Sequence, residues 1–499
     1  MTVTEERSYI EAARREKLEA LIARGITPFA YRYERTHTAQ EAVDAYRGDE
    51  RQVSVGTAGR IISMRPHGKT TFLHLGDRSG KIQVYFRRDD IGEDAYELLK
   101  LLDLSDFIGV RGTLFKTRTE EITIKVEECL LLTKTLRPLP LGKEDAGGEQ
   151  HGRVTDPEMR YRQRYVDLAV HADVREVFMM RARVVRMIRK FFDDRGYVEV
   201  ETPVLQPIYG GAAASPFVTE HRALGTRLYL RIADELYLKR CIVGGLDRVY
   251  EIGHDFRNEG IDRLHFPEFT MLEFYQAYAD YKDMMEILEE LVSGIVRDIC
   301  GSLQVERFGT TFDFTRPWQR SGYVDLVREH SGIDLEQADD SELRARLREH
   351  VEDEDEVADW PRTKLIDEMF KHFVEPSLIQ PTIVQDHPIE ISPLAKPKRG
   401  NPRLTERFEM LMNGHELANA FSELNDPDDQ RRRFEAQAAA REAGDEEAHQ
   451  IDEDFVRALE YGMPPTGGLG LGIDRLLMLL ANKKSIRDVI LFPTLRPEA

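Results

Sequence analysis

The chain has 499 residues, 41% hydrophobic and 32% charged, with a formal net charge of −20. That length predicts two or three domains with ample core beneath a charged surface. An acidic balance of this size excludes a protein coated in phosphate contacts, but it leaves room for RNA held along a local basic path with stacked, splayed-out bases. No apolar run approaches a membrane span, and the polar start MTVTEERSYIEAARREK has no signal-peptide hydrophobic region. Cys129, Cys241 and Cys300 are widely spaced and match no zinc pattern, so the cytoplasm is the expected compartment and no membrane is expected as a partner.

Residues 4–24 have helical composition and stop at Gly25, a C-terminal cap residue. Arg7, Arg14, Arg15, Lys17 and Arg24 lie on this helix, and Arg60, Arg65 and Lys69 follow; each also reads as solvated surface. From 53 to about 133 come five short strands, VSVGTAGRIISM, TTFLHLGD, KIQVYF, FIGVRGTLFKT and EITIKVEECLLL, separated by glycine-containing turns. Five such strands after a helix predict a small closed barrel of the oligonucleotide-binding type. Alternation points Leu73, Leu75, Ile82, Val84, Phe86, Ile122, Ile124 and Val126 inward. It leaves Phe72, His74, Gln83, Tyr85, Glu121 and Thr123 outward, with Arg65 expected in the preceding loop. One stacking ring and polar groups able to read a base edge share that outer face, although an exposed Phe alone carries no function.

The Pro-, Gly- and charge-rich stretch 137–159 predicts a linker, placed at 146–160 between domains 1–145 and 161–499. Val174 to Phe192 is amphipathic, Gly196 ends that helix, and residues 197–203 read as a strand. Val249 to Phe256 is β-rich and ends at Phe-Arg-Asn-Glu. A loop with Glu259, Asp262, Arg263 and His265 leads to a second strand, where period two puts Phe269, Met271, Glu273 and Tyr275 on one face. Arginine at the strand end, a flat aromatic and a carboxylate suit a phosphate, a base and a cation, but the same pattern describes a plain hairpin with a solvated loop. Met284 to Ile299 reads as a helix, and an acidic helical insertion is expected near 325–365. In RFEMLMNGHELA, Asn413-Gly414 is a hairpin turn signal that puts Leu411 opposite Glu416 and Glu409 opposite Ala418, making the two glutamates diagonal neighbours. Asn419, Phe421 and Glu423 share a face if the strand continues, and a bulge near Leu417 is needed for both faces to open together.

Phe256-Arg257-Asn258-Glu259 with Arg263-Leu264-His265-Phe266-Pro267-Glu268-Phe269 resembles motif 2 of the class II aminoacyl-tRNA synthetases. The run from Gly467 to Arg475 looks like motif 3, and 174–203 looks like motif 1. Within the class the likeness to bacterial-type lysyl-tRNA synthetases is greatest and covers nearly the whole chain. It is carried by Ala212-Ala213-Ala214 after Gly210-Gly211, by Glu235-Leu236-Tyr237-Leu238-Lys239-Arg240 and by Phe421-Ser422-Glu423-Leu424-Asn425-Asp426. The resemblance implies an α+β protein: an N-terminal OB-fold β-barrel, then an antiparallel sheet flanked by helices. The glycine run is therefore no dinucleotide fingerprint, lacking the βαβ setting and the downstream acid.

What the resemblance implies chemically is lysine activation by ATP and transfer of the acyl group to tRNA(Lys), by a homodimer built on the motif 1 unit. Arg257 and Arg475 would be the catalytic cations, and Arg257, Glu259, His265, Phe269, Glu409, Glu416 and Arg475 the ATP site. Glu409 and Glu416 would hold magnesium, which suits a few carboxylates with phosphates and water; two exposed glutamates on an edge hairpin are the plainer alternative. Lysine would be held by Gly211, Glu235, Arg257, Glu273, Tyr275, Asn419, Phe421 and Glu423, and the anticodon by Arg65, Phe72, Gln83 and Glu121. Phe266 departs from the family, where many relatives have Asn. Arg475 also reads as a surface arginine paired to Asp474 or Glu416. Three other functions stay open: a paralogue that lysylates protein, a non-catalytic RNA-binding protein of the same fold, and an aspartyl- or asparaginyl-type synthetase, which would need a cationic pocket.

Overall fold

The computed structural model describes residues 3–48, 52–141, 143–144, 150–151, 155–351, 356–442 and 451–497. Residues 146–149 and 152–154 of the expected linker and 352–355 of the expected insertion lie outside the described residues. The chain forms two compact units, Met1–Ala172 and Asp173–Ala499. Among the described residues no helix is long and apolar enough to cross a membrane.

In the first unit, α1 (Val3–Ala23) ends as expected, with Gly25 at φ 71° and Ile26 N–H donating to the Leu21 carbonyl at 3.0 Å. Strands β1 (Ser54–His67), β2 (Thr70–Asp77), β3 (Gly80–Arg87), β4 (Phe107–Lys116) and β5 (Ile122–Thr133) close a barrel in the order β1-β2-β3-β5-β4. Leu73, Leu75, Ile82, Val84, Phe86, Ile124 and Val126 fill it, as alternation requires. Two expectations are corrected. Arg65 is not in a loop: Pro66 fails to end β1, because a tight turn at Gly68, φ 58°, carries the ladder to His67 and sets Arg65 directly opposite Phe72. Thr123, expected outward, is buried, because it lies opposite Gln83 and its hydroxyl donates to Gln83 Oε1 at 2.8 Å.

The second unit is built on one sheet. Its strands are β6 (Val198–Glu199), β7 (Arg248–Phe256), β8 (Glu268–Ala277), β9 (Gln319–Gly322), β10 (Thr382–Gln385), β11 (Arg407–Met412), β12 (His415–Ser422) and β13 (Thr466–Gly472). They run in the order β9-β10-β11-β12-β13-β8-β7-β6, antiparallel except for the outermost pair at each edge. The strand expected over 197–203 is only β6. Helices α2 (Ala172–Asp193), α4 (Tyr281–Cys300) and α8 (Ile473–Leu480) cover one face, where Leu272, Phe274, Leu469 and Leu471 meet Val184, Ile188, Leu288, Val292 and Leu476. Helix α3 (Glu235–Val243) packs with β7 and β8 through Val249 and Tyr275. Three more helices, α5 (Tyr323–Ser331), α6 (Asp340–Arg348) and α7 (Arg362–Phe373), form a separate core that includes Val384 and Leu411 of the sheet. The three motif segments are pinned to one another. Arg181 of α2 pairs with Asp474 and donates to Thr270 Oγ1 at 2.6 Å, and Asp474 accepts the Thr270 N–H at 2.7 Å.

Candidate active site

Strand β13 reads TGGLGLG, and from Gly468 onward the pleat turns its glycines and leucines to opposite sides. Leu469 and Leu471 enter the core, so Gly468, Gly470 and Gly472 line the other face with no side chain at all. Register then assembles the site in rows across this bare strip. Tyr275 lies beside Gly468, Phe421 and Arg407; Glu273 lies beside Gly470, Asn419 and Glu409; Met271 lies beside Gly472. A Cβ on Gly468 would overlap Glu423 Oε1 and the Tyr275 ring. The glycines are there for close approach.

The bulge needed near Leu417 is present. Leu411 pairs with Glu416 as expected, but Met410 pairs with Ala418, so Leu417 is the extra residue and Glu409 sits opposite Asn419, not Ala418. This shift brings Glu409, Glu416, Asn419 and Phe421 to one face. Arg407 Nη2 donates to Glu409 Oε1 at 2.5 Å and Arg407 Nε to Asn419 Oδ1 at 3.2 Å. Burial opposes the Glu409 charge, but Arg407 and then His387 hold it down to about 2. Glu416 moves the other way, raised by burial and by Glu409. Crowded carboxylates whose repulsion splits their titration in this way are a fit donor set for a hard dication. Two acids that sequence reasoning missed feel Glu409 as well: burial and Glu409 push Asp367 up to about 6, and burial with Glu409, Asp367 and Glu416 pushes Glu375 up to about 7.

Across the strip, on its β7 side, Arg257 directly follows that strand, its N–H donating to the Pro267 carbonyl at 2.9 Å. Its guanidinium carbon lies 5.1 Å from the centre of the Phe269 ring. Among the described residues Arg257 has no ion pair, and its buried Nε has no hydrogen-bond partner. Arg475 donates from Nη1 to the Glu416 carbonyl at 2.7 Å, lies 4.0 Å from the Glu416 carboxylate, and approaches His265 Nε2 at 3.2 Å. Its alternative partner Asp474 is taken by Arg181. His265 Nδ1 is 2.8 Å from Asp262, and Glu259 is exposed in the same loop. Phe266 belongs to the main hydrophobic core, which explains how an apolar residue stands there.

Beyond Glu273 lies an acidic nest. The Tyr275 hydroxyl donates to Glu273 Oε2 at 2.9 Å, placing both on one face as period two required. Asp234, Asp255 and Glu273 are buried and offer oxygens within 4.8 Å of one another. Arg231 serves one side, 2.6 Å from Glu251 and 3.3 Å from Asp255. Burial, then Asp234, Glu235 and Asp255, push Glu273 well above its ordinary value. Glu235 and Gly211, whose φ is 92°, adjoin this nest, and Glu423 reaches it from the end of β12. Asp234, Asp255, Arg231 and Glu251 were not foreseen. One signal existed: Gly253 is a glycine inside a strand, and a Cβ there would overlap the Arg231 guanidinium.

On the barrel, Phe72 and Tyr85 lie 4.8 Å apart, and Phe115 stands 5.9 Å beyond Tyr85. Beside them Gln83 Nε2 donates to Glu121 Oε2 at 2.7 Å, and His74 Nε2 is 2.8 Å from Glu121 Oε1. Arg65, Phe72, Gln83 and Glu121 therefore share one outer surface, with Tyr85 and Phe115 extending its aromatic part.

Residues 156–496 match the family described as tRNA synthetases class II (D, K and N), and residues 55–132 match the OB-fold nucleic acid binding domain. The lysine–tRNA ligase of Carboxydothermus hydrogenoformans is 52% identical over 487 residues, 97% of each chain. That of Moorella thermoacetica is 52% identical over 98% of each chain, and that of Bacillus subtilis 50% identical over 97% of this chain and 96% of its own. An identity of that order, sustained through barrel and sheet alike, means that the chain belongs to the lysine–tRNA ligases of the class II aminoacyl-tRNA synthetase family.

Proposed function

We propose that this chain activates lysine with ATP on the glycine strip and transfers it to tRNA(Lys), and that the residues gathered there divide the work. The observation that carries the reading is the buried nest around Glu273, with more carboxylates than cations, which suits an ammonium and no anionic side chain. Glu273, Tyr275 and Glu423 take the ε-ammonium, Phe421 the stem, and Glu235 with the Gly211 backbone the α-ammonium, with Asn419 beside them. Arg257 orients the lysine carboxylate against the α-phosphate. An in-line displacement between two anions needs alignment and charge neutralisation more than a protein nucleophile. Arg475, Phe269, His265 and Glu259 hold the nucleotide. Glu409 and Glu416 are the residues that would hold magnesium, which when bound neutralises phosphate oxygens. Amino-acid-dependent ATP–pyrophosphate exchange with each standard amino acid tests the assignment: lysine should support it, and exchange with aspartate or asparagine instead would overturn it.

The glycine strip makes a sharper forecast. Gly468→Ala should raise the lysine KM by about 5- to 150-fold, because overpacking costs about 1–3 kcal/mol, while the ATP KM stays within about twofold. Equal weakening for both substrates would show a general distortion.

For the barrel we propose anticodon reading by Arg65, Phe72, Gln83 and Glu121, with uridine stacked on Phe72. Stacking on an aromatic ring is worth roughly 1–3 kcal/mol per base. Phe72→Ala should lower tRNA charging by about 5- to 150-fold and leave lysine–ATP exchange nearly intact. If both activities of one preparation fall together, Phe72 is a folding residue. The reading also includes a cytoplasmic homodimer. Edge strand β6 and its surroundings expose Val198, Val204, Leu205 and Leu246, an apolar margin that suits a second copy.

A further inference from the structure

Helix α3 carries a lysine that none of these roles uses. Lys239 is fully buried, and its Nζ lies 2.5 Å from Glu235 Oε1, one turn earlier, and 2.5 Å from Glu423 Oε2. Phe421 and Phe455 flank the ammonium, with ring centres 6.0 and 5.9 Å away. Each carboxylate keeps its second oxygen. Glu235 Oε2 lies towards Gly211, 3.9 Å from where a Cβ would stand there. Glu423 Oε1 lies buried over Gly468 beside the Tyr275 ring; neither Glu423 oxygen has a hydrogen-bond partner among the described residues, and Oε2 is held by the Lys239 ion pair alone. One resident ammonium thus ties the inner oxygens of two carboxylates assigned to opposite ends of the substrate.

Resting on that assignment, we propose that Lys239 is a positioning residue for lysine, acting through Glu235 and Glu423 to present their free oxygens to the α- and ε-ammonium groups. A buried carboxylate without a cation takes up a proton rather than stay charged. Burial pushes Glu423 up, Lys239 pulls it down and Glu235 pushes it up again, which leaves it raised to about 8. Lys239 keeps its proton because Glu235 and Glu423 outweigh its burial. The Tyr275 phenol, which faces Glu423 from β8, is raised by burial and by Glu273, Glu235 and Glu423, so it stays neutral. Removing the Lys239 ammonium therefore raises Glu423 further, so that at a given pH less of its carboxylate stands charged to meet the substrate.

The test is lysine–ATP exchange by Lys239→Met and wild-type protein from pH 6.5 to 8.5, with KM measured for each substrate. At pH 7 the variant should show a lysine KM raised by about tenfold or more and an ATP KM within about twofold. The lysine deficit should narrow as pH rises, since higher pH restores the Glu423 charge. An unchanged lysine KM in the folded variant, or lysine and ATP KM rising together at every pH, overturns the proposal. Should Lys239→Met fail to fold, Lys239→Met with Glu235→Gln and Glu423→Gln removes the ammonium and both of its carboxylates together. Its lysine KM should then lie within about twofold of that of the Glu235→Gln, Glu423→Gln protein, because Lys239 acts through those two partners; multiplied losses overturn the proposal. Wild-type protein without lysine-dependent exchange would instead overturn the assignment beneath it.

Discussion

Arg257→Ala is expected to lower lysine-dependent pyrophosphate exchange by at least about a hundredfold, a loss of about 3 kcal/mol of transition-state stabilisation. The size of the effect follows from what surrounds this side chain. Arg407, on the same sheet face, is committed to Glu409, Asn419 and the Ile391 carbonyl, so removing it would disturb structure. Arg257 approaches the Phe269 ring and feels the charges of Asp255 and Glu416, but among the described residues it forms an ion pair with neither, and its Nε has no hydrogen-bond partner. A guanidinium left in this condition beside an acidic nest is kept for an anion that arrives from outside, and its planar fork can bridge a carboxylate and a phosphate together. The variant should therefore fold and melt close to the wild type. Arg257→Lys should fall between the two, since an ammonium supplies charge without paired donors. Near-normal exchange by a folded Arg257→Ala protein would sink the assignment of this residue.

Local periodicity was enough to place Glu273 with Tyr275 and to fill the barrel, because strand pleat depends only on neighbours in sequence. The register of the β11–β12 hairpin was readable next to its Asn413-Gly414 turn and failed two residues on. Turn chemistry fixes the first pair, Leu411 with Glu416, whereas the extra residue at Leu417 follows from which side chains the core accepts, Ala418 and Ala420 among them. The acidic nest was hidden for another reason. Asp234 and Lys239 come from the α3 segment, and Arg231 crosses from the chain before it, so their meeting with Glu273 and Glu423 is a tertiary event without a sequence period. Asp367 and Glu375 were hidden similarly, beside a stretch readable only as charged surface. Motifs identified the family, but the electrostatics of its pocket needed the fold.

Those electrostatics set the second large effect: Glu273→Gln should raise the lysine KM on the order of a hundredfold, about 3 kcal/mol, with the ATP KM little changed. Burial and the charges of Asp234, Glu235 and Asp255 raise Glu273 well above its ordinary value of 4.5, so in the substrate-free protein this carboxyl holds its proton more tightly than a free one. Lysine needs the ionised form. Binding should therefore release a proton at neutral pH, which calorimetry in buffers of different ionisation enthalpy measures directly, and Glu273→Gln should remove that release. The stability effect has the opposite sign. A carboxyl whose folded pKa is raised costs nothing below its unfolded value near 4.5, and costs more as pH climbs towards the folded value. Glutamine removes that cost while still accepting from the Tyr275 hydroxyl, so the variant should melt at or above the wild-type temperature at pH 7.5, with the gain shrinking as pH falls towards 4.5. A variant that loses stability at pH 7.5, or that weakens ATP and lysine alike, would show that Glu273 supports the sheet instead of receiving the ammonium.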